Sequence, residues 1–218
     1  MRAMILAAGL GSRMRPLTDA LPKPLLEVKS KPLIVWHLEK LVRNGFKEVV
    51  INIAHLGYMI PEYLGDGSRY GIKIFYSDEQ EIGALESAGG IKKALPLLGD
   101  EPFLVVNGDV FTEYEFDSSF KLKDKKAHLI LVPNPEHNPK GDFGLSDNLV
   151  MNTTKEMFTF SGIGYYHPSF FDEVALQKSP LAPLLREAIT KKAISGEVFK
   201  KTWHDVGTPQ RLKEINNA

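Results

Sequence analysis

The stretch ILAAGLGSRMRPLTDALPKPLL, residues 5–26, joins a short apolar strand to a glycine-bearing loop and a series of basic residues. Backbone amides can approach an oxyanion closely where no Cβ blocks the ligand, and glycine accepts the backbone angles that such loops need. The small residues of this loop are Ala7, Ala8, Gly9 and Gly11, and the basic residues after them are Arg13, Arg15 and Lys23. Because the basic side chains add full charges to the amides, the segment predicts a phosphate-binding loop.

Two common phosphate-binding motifs do not describe this segment. A lysine-type P-loop requires GxxxxGK[ST], which does not occur, and GxGxxG fails because the sixth position from Gly9 is Met14. Taken singly, such glycines are also typical of a tight strand-to-helix turn, and basic loop residues are usually solvated surface. Their combination directly after the first strand favours the phosphate-binding interpretation.

Apolar runs alternate with segments of helical periodicity in the first half of the chain. We expect strands at 2–8, 48–53, 72–76 and 103–106, and helices at 32–44, 57–64 and 89–98. This alternation predicts an α/β fold with a Rossmann-like, mixed and mainly parallel sheet flanked by helices.

The second half has a different pattern, with a strand at 127–132 and then a loop rich in proline, asparagine and glycine at 133–142. Further strands are expected at 143–145, 149–152, 158–166, 197–199 and 202–205, and helices at 168–175, 180–192 and from Pro209 onward. We interpret 1–218 as a single domain with a nucleotide-binding half at about 1–110 and an inserted acceptor-binding half at about 111–218.

Composition narrows the functional classes. The 218 residues, 43% of them hydrophobic, can form a proper core, and 27 basic against 27 acidic residues leave no net charge to attract nucleic acid or membrane. The absence of cysteine excludes disulfides, thiolate zinc sites and cysteine nucleophiles. The N-terminal apolar stretch is too short for a signal sequence, and no stretch reaches the ~20 apolar residues of a membrane helix. We therefore expect a cytoplasmic protein that binds neither nucleic acid nor membrane.

Two aspartates lie where an α/β sheet usually carries its ligands. Asp109 follows the apolar strand FLVV and the pair Asn107–Gly108, so it should face the same crevice as the phosphate-binding loop. Asp205 precedes Gly207, Thr208 and Pro209, which predict the start of the last helix. Each aspartate could instead be an ordinary turn or capping residue.

The motif AAGxGSRMxPLTxxxPKPL resembles the signature of the nucleotide-sugar pyrophosphorylases, which join a sugar 1-phosphate to a nucleoside triphosphate. The elements NGD at 107–109, LESAGG at 85–90 and WHDVGT at 203–208 resemble further motifs of that family, and the likeness extends almost from end to end. The resemblance implies the nucleotide-diphospho-sugar transferase fold and a Mg2+ ion held by Asp109 and Asp205. Carboxylate, phosphate and water oxygens suit that hard cation better than zinc.

The resemblance also implies roles for the loop residues. Arg13 should contact the leaving pyrophosphate and Lys23 should bridge the two reacting phosphates, whereas Arg15 supports the loop. Glu79 is a candidate for reading the base by accepting the uracil N3 hydrogen. The other expected nucleotide contacts are Ala8, Gly9, Gly11, Ser12, Ser87, Gly89 and Asn107.

For the acceptor sugar we expect contacts from Asp142, with the backbone around Gly141 and Ser161. Three functions remain open: transfer of a uridylyl group from UTP to N-acetylmuramic acid 1-phosphate in cell-wall recycling, guanylyl transfer to mannose 1-phosphate or a related hexose, and a non-catalytic nucleotide-sugar-binding module. The chain stops soon after the last motif, where many relatives carry an extension that builds oligomers, so we expect a monomer or weak dimer.

Overall fold

A computed structural model describes residues 1–217; Ala218, the last residue of the expected acceptor half, lies outside the described residues. The strands are β1 (Ala3–Leu6), β2 (Glu27–Val28), β3 (Lys31–Pro32), β4 (Glu48–Ile53), β5 (Lys73–Asp78), β6 (Phe103–Asn107), β7 (Val110–Thr112), β8 (Ala127–Val132), β9 (Phe143–Ser146), β10 (Leu149–Met151), β11 (Met157–Tyr166), β12 (Ile194–Val198) and β13 (Trp203–Asp205). The helices are α1 (Leu33–Arg43), α2 (Met59–Leu64), α3 (Glu86–Leu98), α4 (Leu181–Thr190) and α5 (Pro209–Asn217).

Nine of the strands form one sheet in the order β5-β4-β1-β6-β11-β8-β12-β10-β9. β5, β4, β1 and β6 are parallel, as the alternating pattern of the first half predicts. β11 then runs antiparallel to both β6 and β8, so the two halves of the chain share one continuous sheet. The prediction of a mixed α/β fold is confirmed.

Burial explains why the central strands read as unbroken apolar runs. Residues of β1, β6 and β8 are buried on both faces, because apolar clusters lie on each side of the sheet. α1 packs with one cluster through Ile34, Leu38 and Leu41, and α3 packs with the other through Ile91 and Leu98. No helix within 1–217 has the length and apolar character needed to span a membrane.

The helix predicted at 168–175 is wrong. Only Pro168–Phe171 forms a 3-10 turn, in which the Ser169 amide donates to His167 Nδ1 at 3.2 Å. Phe171 then packs with Phe103 of β6, with ring centroids 6.1 Å apart. The chain continues to Ser179, whose carbonyl accepts from the Ala88 and Gly89 amides at the start of α3. Contacts with the sheet and with α3 therefore determine the path of this segment instead of helical hydrogen bonds.

A two-stranded ribbon lies outside the main sheet; the sequence predicts its strand at 202–205 but neither β7 nor the pairing of the two strands. β13 pairs antiparallel with β7, so that Asp205 lies opposite Val110, and the Val206 amide donates to the Asp109 carbonyl at 2.7 Å. The ribbon is short, and its strands are far apart in the chain. It nevertheless brings the two predicted metal-binding aspartates to the same place.

His37 of α1 is a buried histidine whose lowered pKa makes the stability of the protein depend on pH. Its side chain is 3% exposed, and Nε2 has no hydrogen-bond partner within the described chain. Burial, assisted by the nearby Lys40 charge, lowers the pKa of His37 from 6.5 to about 4. The folded protein therefore keeps this imidazole neutral at pH values where the unfolded chain protonates it.

We predict that this difference in pKa destabilises the protein progressively as the pH falls from 6.5 to 4. A depressed histidine pKa means that the unfolded state binds more protons in this window, and complete protonation corresponds to about 3 kcal/mol. Urea unfolding of the wild type and of His37→Leu at both pH values measures the effect. His37→Leu should lose distinctly less stability than the wild type between the two pH values. The exposed-site control His204→Leu should lose as much stability as the wild type. Equal pH dependence in all three proteins would contradict the prediction.

Candidate active site

A cleft of about 740 Å³ opens at the carboxyl ends of β1 and β6. Its floor is formed by the loop after β1, by Asn107, Gly108 and Asp109 after β6, and by Gly207 before α5. Its far side is formed by Gly83, Ala84, Glu86 and Ser87 at the start of α3. The structure therefore brings together most of the residues that the sequence pattern selects.

The loop after β1 is open toward the cleft. A Cβ built on Gly9 meets nothing within 4 Å, and no backbone hydrogen bond within 1–217 uses the amides of Ala8, Gly9 or Leu10. Gly11 has a different role, because its φ of +63° and its contact with Thr18 leave no room for a side chain. Thr18 Oγ1 donates to the Gly11 carbonyl at 2.8 Å and fixes this part of the loop. Gly9 thus leaves space for a ligand, and Gly11 shapes the loop.

The basic residues of the loop differ in their surroundings. Arg13 is exposed, lines the cleft and has no carboxylate partner among the described residues. Arg15 points to the neighbouring surface, where its Nε lies 3.2 Å from Asp19 Oδ1. Lys23 reaches across the cleft, and its Nζ lies 2.6 Å from Asp109 Oδ2. Arg15 does not line the cleft, and the supporting role expected of it stays a prediction.

A chain of buried hydrogen bonds, the polar strut, supports the cleft from below. The Ala7 amide donates to Asn52 Oδ1 at 2.7 Å, Asn52 Nδ2 donates to Glu79 Oε1 at 2.8 Å, and the Leu85 amide donates to Glu79 Oε2 at 2.8 Å. The strut connects the ends of β1 and β4 with the segments before α3. Gly90 makes room for it, since a Cβ there would lie 2.8 Å from Glu79 Oε1.

The strut corrects the interpretation of Glu79. Its side chain is fully buried, both carboxylate oxygens accept hydrogen bonds from the protein, and it does not line the cleft. A base in the cleft therefore cannot reach this carboxylate, and Glu79 positions the loop before α3 instead. Gly89 is a second correction. Its amide donates to the Ser179 carbonyl, and a Cβ would collide with the Gln177 carbonyl, so the glycine accommodates segment 177–179.

Asp205 has two neighbours that the sequence pattern did not predict. Nη1 of Arg211 lies 2.6 Å from both Oδ1 and Oδ2 of Asp205, and Nε2 of His137 lies 3.1 Å from Oδ1. Thr208 Oγ1 accepts from the Arg211 amide at 3.3 Å, which caps α5 and sets the first turn of the helix. An arginine in the first turn of a helix that directly follows Asp205 was the available sequence signal. His137 gave none, because 68 residues separate it from Asp205.

The expected acceptor residues do not line this cleft. Asp142 Oδ2 accepts from the Phe160 amide at 2.8 Å and Oδ1 accepts from Asn138 Nδ2 at 3.2 Å, so this carboxylate ties the 133–142 loop to β11. Gly141 has a φ of +66°, and a Cβ there would meet the backbone of Phe158 at 2.9 Å.

Ser161 lies in the β-bulge of β11 and is equally occupied. Its hydroxyl donates to the Ile130 carbonyl at 2.6 Å and its carbonyl accepts from the Trp203 indole at 3.0 Å. The side chains of Asp142 and Ser161 and the turn at Gly141 thus have structural roles, and the sugar contacts expected of this region remain a prediction.

The pair Asp109 and Asp205 fits a hard divalent cation. Both residues bear carboxylates, the β7–β13 ribbon joins their backbones, and Asp109 and Gly207 line the same end of the cleft. No group of three or more histidine, aspartate or glutamate side chains forms a metal site among residues 1–217, so phosphate oxygens and water would have to complete the coordination.

Comparisons with known proteins agree with this geometry. The family model described as "Nucleotidyl transferase" matches residues 2–149. The chain is 53% identical to N-acetylmuramate alpha-1-phosphate uridylyltransferase of Neisseria meningitidis, over 98% of this chain and 96% of the relative. It is 31% identical to D-glycero-alpha-D-manno-heptose 1-phosphate guanylyltransferase of Campylobacter jejuni, over 96% of each chain. The crystal structure of a putative glucose-1-phosphate thymidylyltransferase from Bacillus anthracis superposes with a TM-score of 0.86 at 20% identity, covering all of this chain and 94% of the other.

The chain therefore belongs to the nucleotidyl transferase family, and the predicted family and enzyme class are confirmed. The crystal structure adds the fold alone, because its sequence identity is low.

We predict that Asn52→Ala destabilises the protein by about 2–4 kcal/mol, because it leaves the Ala7 amide and one oxygen of Glu79 buried without partners. Urea unfolding measures the loss. Asn217→Ala, at an exposed position of α5, is the matched control and should cost less than about 0.5 kcal/mol. If Asn52→Ala were no less stable than this control, the strut would not support the site.

Proposed function

We propose that this enzyme transfers a uridylyl group from UTP to N-acetylmuramic acid 1-phosphate, forming UDP-N-acetylmuramic acid and pyrophosphate. The observation that carries the proposal is the 53% identity to the meningococcal uridylyltransferase over nearly the full length of both chains. The cleft supports it with an open phosphate loop lined by Arg13, Lys23 and Asp109, and the β7–β13 ribbon pairs Asp205 with Val110, the neighbour of Asp109. The 31% identity to the Campylobacter heptose enzyme makes guanylyl transfer the second candidate.

The chemistry requires positioning more than a reactive side chain. An oxygen of the acceptor phosphate attacks the α-phosphorus of UTP, the bond to the bridging oxygen breaks, and pyrophosphate departs with the electron pair. Donors fixed in advance around the reacting phosphates lower the barrier, because they do not have to reorganise as negative charge shifts toward the leaving group. The amides of Ala8, Gly9 and Leu10 are such donors. Their hydrogen-bonding capacity is not used within the described chain.

Arg13 and Lys23 both line this cleft and supply positive charge there. The exposed guanidinium of Arg13 is suited to the β- and γ-phosphates, which leave as pyrophosphate. The Lys23 ammonium, 14% exposed and directed across the cleft, is suited to the α-phosphate and the attacking phosphate. Asp109 and Asp205 would hold Mg2+, which neutralises charge on the α-phosphoryl oxygens when bound.

The predictions of a cytoplasmic enzyme and of a monomer or weak dimer remain part of this proposal. Nucleoside triphosphates are made in the cytoplasm, which supports the first. Dilution experiments by sedimentation would test the second.

We predict that Gly9→Ala folds normally but binds UTP at least tenfold more weakly. A Cβ at this position meets no protein atom, so the unfolding free energy should change by less than about 1 kcal/mol, whereas the methyl group occupies space that the phosphates need. Isothermal titration with UTP measures the affinity, and urea unfolding verifies the fold. Unchanged UTP affinity would mean that the phosphates do not enter this loop.

The decisive experiment incubates the protein and Mg2+ with each nucleoside triphosphate and a panel of sugar 1-phosphates, and follows pyrophosphate release. We expect the highest kcat/KM for UTP with N-acetylmuramic acid 1-phosphate. Asp109→Asn and Asp205→Asn should each lower kcat at least a hundredfold, on the order of 3 kcal/mol of transition-state stabilisation. Preference for GTP and a heptose or mannose 1-phosphate would establish the second candidate, and release from no pair would contradict the proposed reaction.

A further inference from the structure

We propose that Lys23 and a divalent cation compete for Asp109, and that the nucleoside triphosphate ends the competition by drawing the Lys23 ammonium onto its phosphates. The cation site would then assemble only when the nucleotide is bound. This inference rests on the proposed function for the identity of the nucleotide and of the metal. The proposed function assigns Lys23 to the phosphates and Asp109 to the cation; the inference adds that the lysine and the cation exclude each other at Asp109.

The geometry of the pair makes simultaneous occupation unfavourable. Lys23 Nζ lies 2.6 Å from Asp109 Oδ2, the distance of a short charge-assisted hydrogen bond. The two side chains are only 14% and 28% exposed, so water screens their charges poorly. A divalent cation on the same carboxylate would face the ammonium across a few ångströms of partly desolvated cleft, where repulsion between like charges is strong.

The partner of the second aspartate, Asp205, differs from that of Asp109, and this difference is why we assign the competition to Asp109. Asp205 is held through both oxygens by Arg211, which belongs to the capped first turn of α5 and not to the phosphate loop. Arg211 does not line the cleft, so a nucleotide in the cleft is not in direct contact with its guanidinium. Lys23, by contrast, begins a 3-10 turn, Lys23–Leu25, and lines the same cleft as Gly9 and Arg13.

A triphosphate offers the ammonium several negative charges in place of one carboxylate. Once Lys23 contacts the phosphates, Asp109 is freed as a ligand for the cation that accompanies them. Metal and nucleotide should then bind with positive coupling, and the metal alone should bind weakly. Removing the lysine charge should therefore improve binding of the metal alone even though it harms binding of the nucleotide.

The test uses Mn2+ alone, without nucleotide, and measures free Mn2+ by electron paramagnetic resonance. We expect Lys23→Met, which keeps the length of the side chain without its charge, to bind Mn2+ at least fivefold more tightly than the wild type. Arg15→Met is the matched control. It removes one positive charge from the same segment but from a residue paired with Asp19 and outside the cleft lining, so its affinity should change less than twofold.

The double variant Lys23→Met with Asp109→Asn should not bind Mn2+ more tightly than the wild type. This result would show that the tighter binding of Mn2+ by Lys23→Met occurs at Asp109. The proposal is overturned if Lys23→Met binds Mn2+ no better than the wild type, if Arg15→Met gains equally, or if the double variant keeps the gain. Melting curves of all variants verify that each is folded. Because no nucleotide is present, failure here is distinguishable from failure of the proposed function, which wild-type pyrophosphate release decides on its own.

Discussion

The site depends on one backbone constraint, the antiparallel pairing of β7 with β13. Asp109 and Asp205 come from distant parts of the chain, and the Val206 amide donating to the Asp109 carbonyl joins them directly. The Trp203 indole adds a hydrogen bond to the Ser161 carbonyl in the bulge of β11. The ribbon is therefore anchored to the main sheet at one end and continues into the capped helix α5 at the other. Because both carboxylates lie at its Asp205–Val110 end, small changes in the ribbon would move the candidate metal ligands relative to each other and to the phosphate loop.

The polar strut provides the corresponding constraint on the nucleotide side. A carboxylate as buried as that of Glu79 is costly unless its oxygens are satisfied, and here the Asn52 amide and the Leu85 backbone satisfy them. The same hydrogen bonds that stabilise the buried carboxylate also connect the loop after β1 with the loop before α3. These hydrogen bonds thus join the two sides of the cleft through Asn52, which lines it, and through the buried Glu79, which does not.

The sequence predicted what local pattern and chemistry determine. β4 and β8 have the predicted bounds, since their apolar runs end in clear turns, and the phosphate loop and Asp109 lie together because parallel strands share an edge. The sequence-based prediction failed for residues whose surroundings are determined by packing between distant parts of the chain. In the sequence Glu79 resembles any polar loop residue. Its burial becomes evident only in the structure, where the absence of a Cβ at Gly90 leaves room for its carboxylate. Asp142 likewise has a loop-like sequence context, and only the pairing of β11 with β9 shows that it binds backbone.

Charge compensation links these observations. The chain carries no net charge, yet the candidate site combines a loop proposed to bind phosphates with two aspartates proposed to bind a cation. In the structure each of these carboxylates is paired with a cation of the protein, Lys23 for Asp109 and Arg211 for Asp205, which reduces the repulsion between the two partly buried negative charges. Arg13 alone lines the cleft without a carboxylate partner among the described residues. A ligand that brings both negative phosphates and a divalent cation would preserve this pairing of charges. Its phosphates would replace the carboxylate as the partner of a displaced basic side chain, and its cation would replace the basic side chain as the partner of the carboxylate.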